Sequence, residues 1–342
     1  MSRAQHAQAS PAVVTGMQTV TIAKALNTGL RAAMEADDKV IVMGEDVGRL
    51  GGVFRITDGL QKDFGEQRVL DTPLAESGII GTAVGLALRG FRPVCEIQFD
   101  GFVFPGFDQI VSQLAKLHFR SQGRLPMRVV VRIPHGGGIG AVEHHSESPE
   151  SLFAHVAGLK VVACSNPADA HWMIRQAIAC DDPVIFFEPK RRYWEKGEFD
   201  PDAQPPPLFT SRVVRPGTTV TVAAYGPMVR TVLDAAAAAA SESSGADLEV
   251  IDLRTLSPLH LGPVFDSVRR TGRLVCVSEA PRECSITAEV AAQVQQECFY
   301  SLEAPVLRVT GFDTPYPPSQ VEEEYLPDLD RVLDAVDRVL EY

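Results

Sequence analysis

Short apolar, β-branched runs alternate with segments of helical period along most of the 342 residues. The strand-like runs include residues 40–43, 93–97 and 184–187, and the segments between them, such as residues 22–36 and 168–179, carry apolar side chains three and four positions apart. A strand that is apolar on both faces needs cover on both sides, which parallel sheets flanked by helices provide. The alternation therefore predicts an α/β fold with doubly wound, mostly parallel sheets.

A change of composition between residues 195 and 215 divides the chain. This stretch is rich in charge and proline, and no hydrophobic period survives in it, which is typical of a linker. A second alternation of strand-like and helix-like segments begins after it. The sequence therefore predicts a flexible tail over residues 1–17, a first domain over 18–194, a linker over 195–215 and a smaller second domain over 216–342.

The overall charge and composition argue against several classes of function. The formal net charge of −12 at pH 7 disfavours a nucleic-acid or anionic-membrane partner. No run approaches the ~20 apolar residues that span a bilayer, and residues 1–17 lack the hydrophobic core of a secretion signal. The six cysteines show no paired metal spacing, which suits a reducing compartment. We therefore expect a cytoplasmic protein, or a mitochondrial matrix protein in a eukaryote, without a nucleic-acid or membrane partner.

Polar residues follow several strand-like runs in succession. Glu45, Phe102 and His145 lie in turns after such runs, and Glu76 lies between a polar turn and an apolar, glycine-bearing helix start. Because open parallel sheets bind ligands beyond the carboxyl ends of their strands, these side chains are expected at one edge of the sheet. A carboxyl group desolvated at Glu76 could stay protonated near neutral pH and donate a hydrogen bond. The alternative is an acidic residue favoured at a helix N-terminus by the helix dipole.

These turns and four later segments resemble the beta subunit of the E1 component of 2-oxo acid dehydrogenase complexes. The likeness runs from about Thr19 to the C-terminus. It implies a transketolase-like, thiamine pyrimidine-binding N-terminal domain and a smaller α/β domain similar to the C-terminal domain of transketolase. The segments that carry it are residues 44–47, 71–81, 95–105, 144–150, 186–190, 250–255, 271–273 and 302–309.

The resemblance also implies roles for single residues. Glu76 matches the glutamate that hydrogen-bonds N1′ of the pyrimidine of thiamine diphosphate and promotes deprotonation of the cofactor. His145 matches a histidine that handles protons while the acyl group passes to the lipoyl arm of E2. A structural histidine and a solvated strand-end acid are the alternative interpretations of His145 and Glu45. The residues implied to bind the cofactor are Glu45, Leu74, Glu76, Gln98 and Phe102.

A structural K⁺ is a further implication of the resemblance. Members of the family bind it largely through backbone carbonyl groups. The matching positions in this chain are Met127, Val129, Val130, Ala177, Cys180 and Asp182.

One motif of thiamine enzymes is missing from the sequence. These enzymes hold the diphosphate through Mg²⁺ bound by a Gly-Asp-Gly motif, which this chain does not contain. In the family a separate E1 alpha subunit supplies that half of the site, and the beta subunit supplies the pyrimidine half within an α2β2 heterotetramer. The resemblance therefore implies half a site, with the alpha subunit and the E2 lipoyl acyltransferase as partners.

The resemblance implies a 2-oxo acid as substrate, and a few segments of the sequence indicate which class of 2-oxo acid it is. Residues 95–110, 146–150 and 186–190 look more like the branched-chain type than the pyruvate type. We therefore expect oxidative decarboxylation of branched-chain 2-oxo acids with reductive acylation of the lipoyl group of E2, and the pyruvate dehydrogenase E1 beta subunit is the alternative. Phe102 departs from the branched-chain pattern, in which tyrosine is found.

Functions of other classes find less support. A noncatalytic assembly scaffold of the complex would need neither Glu76 nor His145, and homodimeric thiamine enzymes have longer chains. The His-Gly-Gly-Gly segment at residues 135–138 is similar to an esterase oxyanion loop, but no G-x-S-x-G motif accompanies it. The histidines at 144, 145 and 155 lack the carboxylate spacing of a zinc site.

Overall fold

Three β-sheets and the helices packed on them make up the residues that the computed structural model describes, 16–241 and 245–342. The strands are β1 (Gln18–Thr21), β2 (Val40–Gly44), β3 (Val69–Asp71), β4 (Arg92–Glu96), β5 (Val130–His135), β6 (Lys160–Ala163), β7 (Val184–Pro189), β8 (Lys196–Phe199), β9 (Arg212–Arg215), β10 (Val220–Ala224), β11 (Leu248–Asp252), β12 (Thr255–Ser257), β13 (Leu274–Val277) and β14 (Leu307–Val309). The α-helices are α1 (Ile22–Ala36), α2 (Leu60–Phe64), α3 (Glu76–Leu88), α4 (Ala115–Arg120), α5 (Glu150–Ala154), α6 (Pro167–Ala179), α7 (Met228–Ser241), α8 (Gly262–Thr271), α9 (Ile286–Glu297), α10 (Glu322–Tyr325) and α11 (Leu329–Leu340).

The larger sheet has seven strands in the order β12-β6-β7-β5-β4-β2-β3, and all but β12 are parallel. Alternate residues of β7 pack into different hydrophobic cores. Val184 and Phe186 pack with α1 and α6, whereas Ile185 and Phe187 pack on the opposite face. Burial of both faces explains why this strand is a continuous apolar run.

The order of this sheet reverses beside β2. The chain passes from β2 to β3 on one side and then returns to β4 on the other side. Such a reversal leaves a crevice beyond the carboxyl ends of the two neighbouring strands, where ligands of doubly wound sheets bind. The turns that follow β2 and β4 therefore border the natural binding position of this sheet.

The second sheet has five strands in the order β14-β13-β10-β11-β9, with β9 antiparallel to the rest. Helices α7 and α11 pack with it in a core that includes Val222, Val232 and Val336. The predicted doubly wound α/β architecture is confirmed for both sheets.

Several elements differ from the sequence-based expectation. The segment predicted as a linker, 195–215, contains β8 and β9, and β8 pairs with β1 at the start of the chain. β12 follows the second sheet's β11 in sequence but joins the edge of the first sheet. β8, β9 and β12 are short edge strands, whose pairing depends on distant partners rather than on a local hydrophobic period. Of the predicted tail, residues 1–15 lie outside the described residues, and the domain boundaries stay predictions.

The length and composition of the helices can be compared with those of membrane-spanning helices. Over residues 16–241 and 245–342, none combines the length and the apolar composition that a transmembrane helix needs.

Candidate active site

The crevice beside β2 brings two of the sequence-predicted residues together. Glu45 follows β2 directly, and Gln98 follows β4 by two residues. The side-chain amide of Gln98 lies 3.5 Å from the carbonyl oxygen of Glu45 and donates to the carboxylate of Asp46 at 3.3 Å. Gln98 therefore fixes the turn that carries Glu45.

Two buried carboxyl groups lie in this crevice. The exposed fraction is 9% for Glu45 and 6% for Glu76, and Oε1 of Glu45 has no hydrogen-bond partner among the described residues. Burial, together with the negative charges of Glu76 and Asp46, raises the pKa of Glu45 above its usual value of 4.5. A buried, unsatisfied carboxyl oxygen is unusual in a folded protein and is typical of a site that awaits a donor.

Glu76 owes its position to the start of α3. It is the first residue of the helix, and the preceding turn is tied to β2 by a hydrogen bond from Thr72 N to Gly44 O of 2.9 Å. A 3₁₀-helix, Asp100–Gly106, passes close to this end of α3. Gly106 permits the approach, because a Cβ atom there would lie 3.3 Å from the carbonyl oxygen of Glu76. The backbone at Glu76 thus lies close to the segment that follows β4.

An aromatic wall faces the segment that carries His145. Phe102 lies in the 3₁₀-helix Asp100–Gly106, and His145 ends the short 3₁₀-helix Glu143–His145 after β5. The ring of His145 stacks on Phe99 with centroids 4.0 Å apart and meets Phe102 edge to face at 4.9 Å. Burial and the charges of His144 and Lys190 lower the pKa of His145 below 6.5, against the opposing effect of the hydrogen bond with the backbone of His144. The imidazole is therefore neutral near neutral pH and can accept a proton.

Apolar side chains at the rim of the site are open to solvent. Leu74 precedes α3 and is 80% exposed, and Phe104 and Val142, from the segments that carry Phe102 and His145, are exposed as well. Exposed apolar side chains grouped around a crevice are typical of a surface that binds a ligand or a partner. Leu74 is thus part of the rim and contributes nothing to the core.

The carbonyl groups matched to a K⁺ site lie at the other end of the sheet, near the amino ends of β5 and β7. The carbonyls of Met127, Val129 and Ala177 each accept a backbone hydrogen bond, of 2.8, 2.9 and 3.2 Å. Each keeps a second lone pair for a cation. Over the described ranges, no cluster of three or more His, Cys, Asp and Glu side chains could hold a metal ion.

A buried ion pair beside His145 was not among the predicted site residues. Asp100 follows β4 and Lys190 follows β7, and their charged groups contact each other with no exposure to solvent. Both residues lie in segments that carried the family resemblance. The rule that sheet ligands bind beyond strand ends could have singled them out, but their pairing depends on the strand order, which the sequence does not reveal.

Two domain families match the chain, one after the other. The pyrimidine-binding domain of transketolase matches residues 18–195, and the C-terminal domain of transketolase matches residues 210–332. Among solved structures, a chain titled "Split gene transketolase, inactive beta4 tetramer" superposes with a TM-score of 0.78 at 22% identity, over 94% of this chain and 98% of that one. The transketolase-like fold is therefore confirmed.

Sequence relatives match nearly the whole length of the chain. The pyruvate dehydrogenase E1 component subunit beta of Leifsonia xyli is 62% identical over 95% of this chain and 96% of its own length. The 3-methyl-2-oxobutanoate dehydrogenase subunit beta of Mycobacterium tuberculosis is 55% identical over 94% and 92%, and the 2-oxoisovalerate dehydrogenase subunit beta of Pseudomonas aeruginosa is 46% identical over 98% of both chains. With two transketolase domains in series and this identity over its length, the chain belongs to the oxidoreductase family formed by the E1 beta subunits of 2-oxo acid dehydrogenase complexes.

Proposed function

We propose that this chain is the catalytic beta subunit of a thiamine diphosphate-dependent E1 that decarboxylates branched-chain 2-oxo acids. The acyl group is transferred to the lipoyl group of the E2 acyltransferase, so the acyl carbon is oxidised while the lipoyl disulfide is reduced. The observation that carries the proposal is the buried pair Glu45 and Glu76 at the strand-end crevice, next to the Asp100–Gly106 segment whose Phe102 meets His145.

The residues of the crevice fit the aminopyrimidine ring of the cofactor. That ring offers N–H donors and a ring nitrogen that accepts. The crevice offers a carboxyl oxygen of Glu45 that has no partner in the part of the chain that the structure describes, and a second buried carboxyl group on Glu76. Phe102 supplies a flat apolar face, and Leu74 supplies an exposed apolar side chain at the rim. When bound, thiamine diphosphate supplies the electron sink for decarboxylation.

Each residue has a separate task in the proposed reaction. Glu76 hydrogen-bonds N1′ of the pyrimidine, and Glu45 accepts a hydrogen bond through Oε1. Gln98 keeps the turn of Glu45 in place. His145 moves a proton during acyl transfer, because its lowered pKa leaves the imidazole neutral.

The site is completed by an E1 alpha subunit in an α2β2 heterotetramer, with Mg²⁺ and the diphosphate held mainly by the alpha chain. The exposed apolar rim of Leu74, Phe104 and Val142 supports this arrangement, because a partner would cover it. All six cysteines are unpaired, which suits a reducing compartment such as the cytoplasm.

The K⁺ site stays part of the proposal. Its carbonyls belong to Met127, Val129, Val130, Ala177, Cys180 and Asp182, so a bound cation would join the C-terminal end of α6 to the amino ends of β5 and β7. Replacing K⁺ by Na⁺ in the buffer should lower the unfolding temperature of the reconstituted enzyme, measured at constant ionic strength. An equal unfolding temperature in both salts would remove the site from the account.

The substrate class has two candidates, each favoured by relatives. The Mycobacterium and Pseudomonas relatives carry branched-chain names, whereas the Leifsonia relative carries a pyruvate name. The test compares kcat/KM for 3-methyl-2-oxobutanoate and pyruvate, using the chain reconstituted with its alpha subunit. Preference for the branched acid supports the proposal, and preference for pyruvate replaces its substrate. If the reconstituted protein binds E2 fully but decarboxylates neither acid, the scaffold alternative is favoured.

A further inference from the structure

Three consecutive residues after β4 contact the segment that carries His145. Phe99 lies flat against the imidazole of His145, with an interplanar angle of 18° and centroids 4.0 Å apart. Next along the chain, Oδ2 of Asp100 accepts a hydrogen bond from the backbone N–H of Glu147 at 2.5 Å. A Cβ atom at Gly101 would collide with the carbonyl oxygen of His144. The two segments are therefore in contact at each of the three positions.

The charge of Asp100 is balanced by a residue from a third strand end. Lys190 follows β7, and its ammonium group donates to Oδ1 of Asp100, with both side chains fully buried. Burial raises the pKa of Asp100 to about 6 and lowers that of Lys190. A buried ion pair of this kind is weak evidence for stability, so a positional role deserves a test.

One member of this pair, Lys190, influences the electrostatics of His145. Burial lowers the pKa of His145, and the charges of His144 from its own segment and Lys190 from the end of β7 lower it further, whereas the hydrogen bond with the backbone carbonyl of His144 raises it. The carboxylate of Asp100 acts on Glu147, two residues further on. His145 is therefore oriented by an aromatic face and kept neutral by burial and nearby positive charge.

We propose that Phe99, Asp100 and Lys190 are positioning residues that hold the His145 ring in the plane and place needed for acyl transfer to the lipoyl group. This proposal rests on the proposed role of His145. Phe99 fixes the plane of the ring, and Asp100, held by Lys190, fixes the backbone of its segment. We call the three residues the His145 platform.

The experiment uses the enzyme reconstituted with its alpha subunit and measures two activities. Decarboxylation is followed with ferricyanide as electron acceptor, and reductive acylation is followed with the lipoyl domain of E2. The variant Phe99→Leu should lower the ratio of reductive acylation to ferricyanide-linked activity at least tenfold, because small misplacement of a reacting group is costly. Phe99→Tyr, which keeps the ring, should restore the ratio. Phe119→Leu is the matched control, since Phe119 is 86% exposed.

The charged members are tested by pH. Removal of Lys190 takes a positive charge away from His145, so the acid limb of the reductive-acylation profile should move to higher pH in Lys190→Met. The double variant Asp100→Asn, Lys190→Met leaves no buried charge unpaired, and it carries the same expectation if Lys190→Met does not fold. Lys190→Arg should keep the position of the limb.

Three further outcomes separate the platform from the role on which it rests. If Phe99→Leu and the double variant keep the activity ratio and the pH profile of the unmodified enzyme, the platform is wrong. A parallel loss of both activities would also overturn it, because the residues would then be merely structural. If His145→Asn itself supports normal reductive acylation, the proposed role of His145 fails, and the platform falls with it.

Discussion

At the scale of single residues, Glu45 is a carboxyl group of the crevice with one unsatisfied oxygen among the described residues. Its Oε1 is buried and meets no hydrogen-bond partner in residues 16–241 and 245–342, and burial raises the pKa of the group. A ligand that donates to this oxygen would remove the cost of leaving it unsatisfied, which is about 1–3 kcal/mol. Ligand binding therefore explains a carboxyl group at this position of the crevice, whereas core packing does not.

The first prediction concerns Glu45→Gln in the reconstituted enzyme. Loss of the carboxylate should weaken thiamine diphosphate binding by about tenfold or more, since hydrogen bonds to charged groups contribute roughly 1.5–3 kcal/mol. Because the pKa of Glu45 is raised, cofactor affinity of the unmodified enzyme should rise with pH above 4.5 as the carboxyl ionises, and this dependence should be reduced in the variant. Cofactor titration across pH measures both effects. Glu66→Gln, at an exposed turn, is the control.

Much of the site could be predicted from residue order alone. The end-of-strand rule predicts Glu45 at one edge of the sheet, and the family resemblance implies Gln98, which follows the neighbouring parallel strand. The contact between Asp100 and Lys190 could not be predicted, because it depends on β4, β5 and β7 lying side by side in that order. Sequence spacing does not encode which strands are neighbours.

At the scale of elements, the packing of α1 against α6 leaves no room for a side chain at one position of α1. Gly29 lies in α1, and a Cβ atom there would lie 2.7 Å from the carbonyl oxygen of His171 in α6. This backbone atom cannot move away as a flexible side chain can. Close approach of the two helices therefore requires glycine at this position.

The second prediction contrasts two helical glycines. Gly29→Ala should lower the free energy of unfolding by about 1–3 kcal/mol, the usual cost of overpacking. Gly85→Ala, in α3, should raise it by about 0.5–1 kcal/mol, because a Cβ atom there meets nothing within 4 Å and alanine favours the helix. Urea denaturation measures both. Equal effects of the two substitutions would contradict the packing assigned to α1 and α6.

Elements with their own period were predictable, and those without one were not. The bounds of α1 follow from its apolar spacing, and the side chain of Asn166 caps α6 ahead of Pro167, a signal readable in the sequence. β1 and β8 are four residues each and pair across the length of the first domain. Such strands are stabilised by tertiary pairing, which local patterns do not carry.

At the scale of the whole molecule, the first domain fills the crevice of the second. The order of the five-stranded sheet reverses beside β10, which leaves a crevice at the ends of β10 and β13. Tyr225 follows β10 and donates to Oε1 of Glu150 at 2.5 Å, while a Cβ atom at Gly226 would meet His135 at 3.3 Å. Glu150 and His135 both come from the first domain, so this second crevice serves as a junction.

The third prediction tests the junction through pH. Burial raises the pKa of Glu150 from 4.5 to about 7. Between these values the folded chain keeps a proton that the unfolded chain loses, so Glu150 makes stability fall as pH rises from 4.5 to 7. Glu150→Gln keeps an acceptor for Tyr225 and removes this contribution. Unfolding curves at pH 4.5 to 8 should therefore be less pH-dependent for the variant, and parallel curves would show that Glu150 is not buried as described.

The division into two sheets could be predicted from length and alternation, but the way in which the domains meet could not. The contacts of the junction join residues that are 75 positions apart or more, such as Tyr225 and Glu150. The sequence also carried the implication of half a site through its missing Gly-Asp-Gly motif. The exposed rim around Leu74 is the structural counterpart of that implication.

The measurement that tests the central claim most directly is decarboxylation of 3-methyl-2-oxobutanoate by this chain with its alpha subunit, comparing the unmodified protein with Glu76→Gln. Removal of a proton-transferring group costs about 10²–10⁴-fold in rate. The variant should therefore lose at least about 100-fold in kcat, and its unfolding temperature should be unchanged. Activity should require both chains and thiamine diphosphate. Full activity of Glu76→Gln, or of this chain alone, would contradict the shared site.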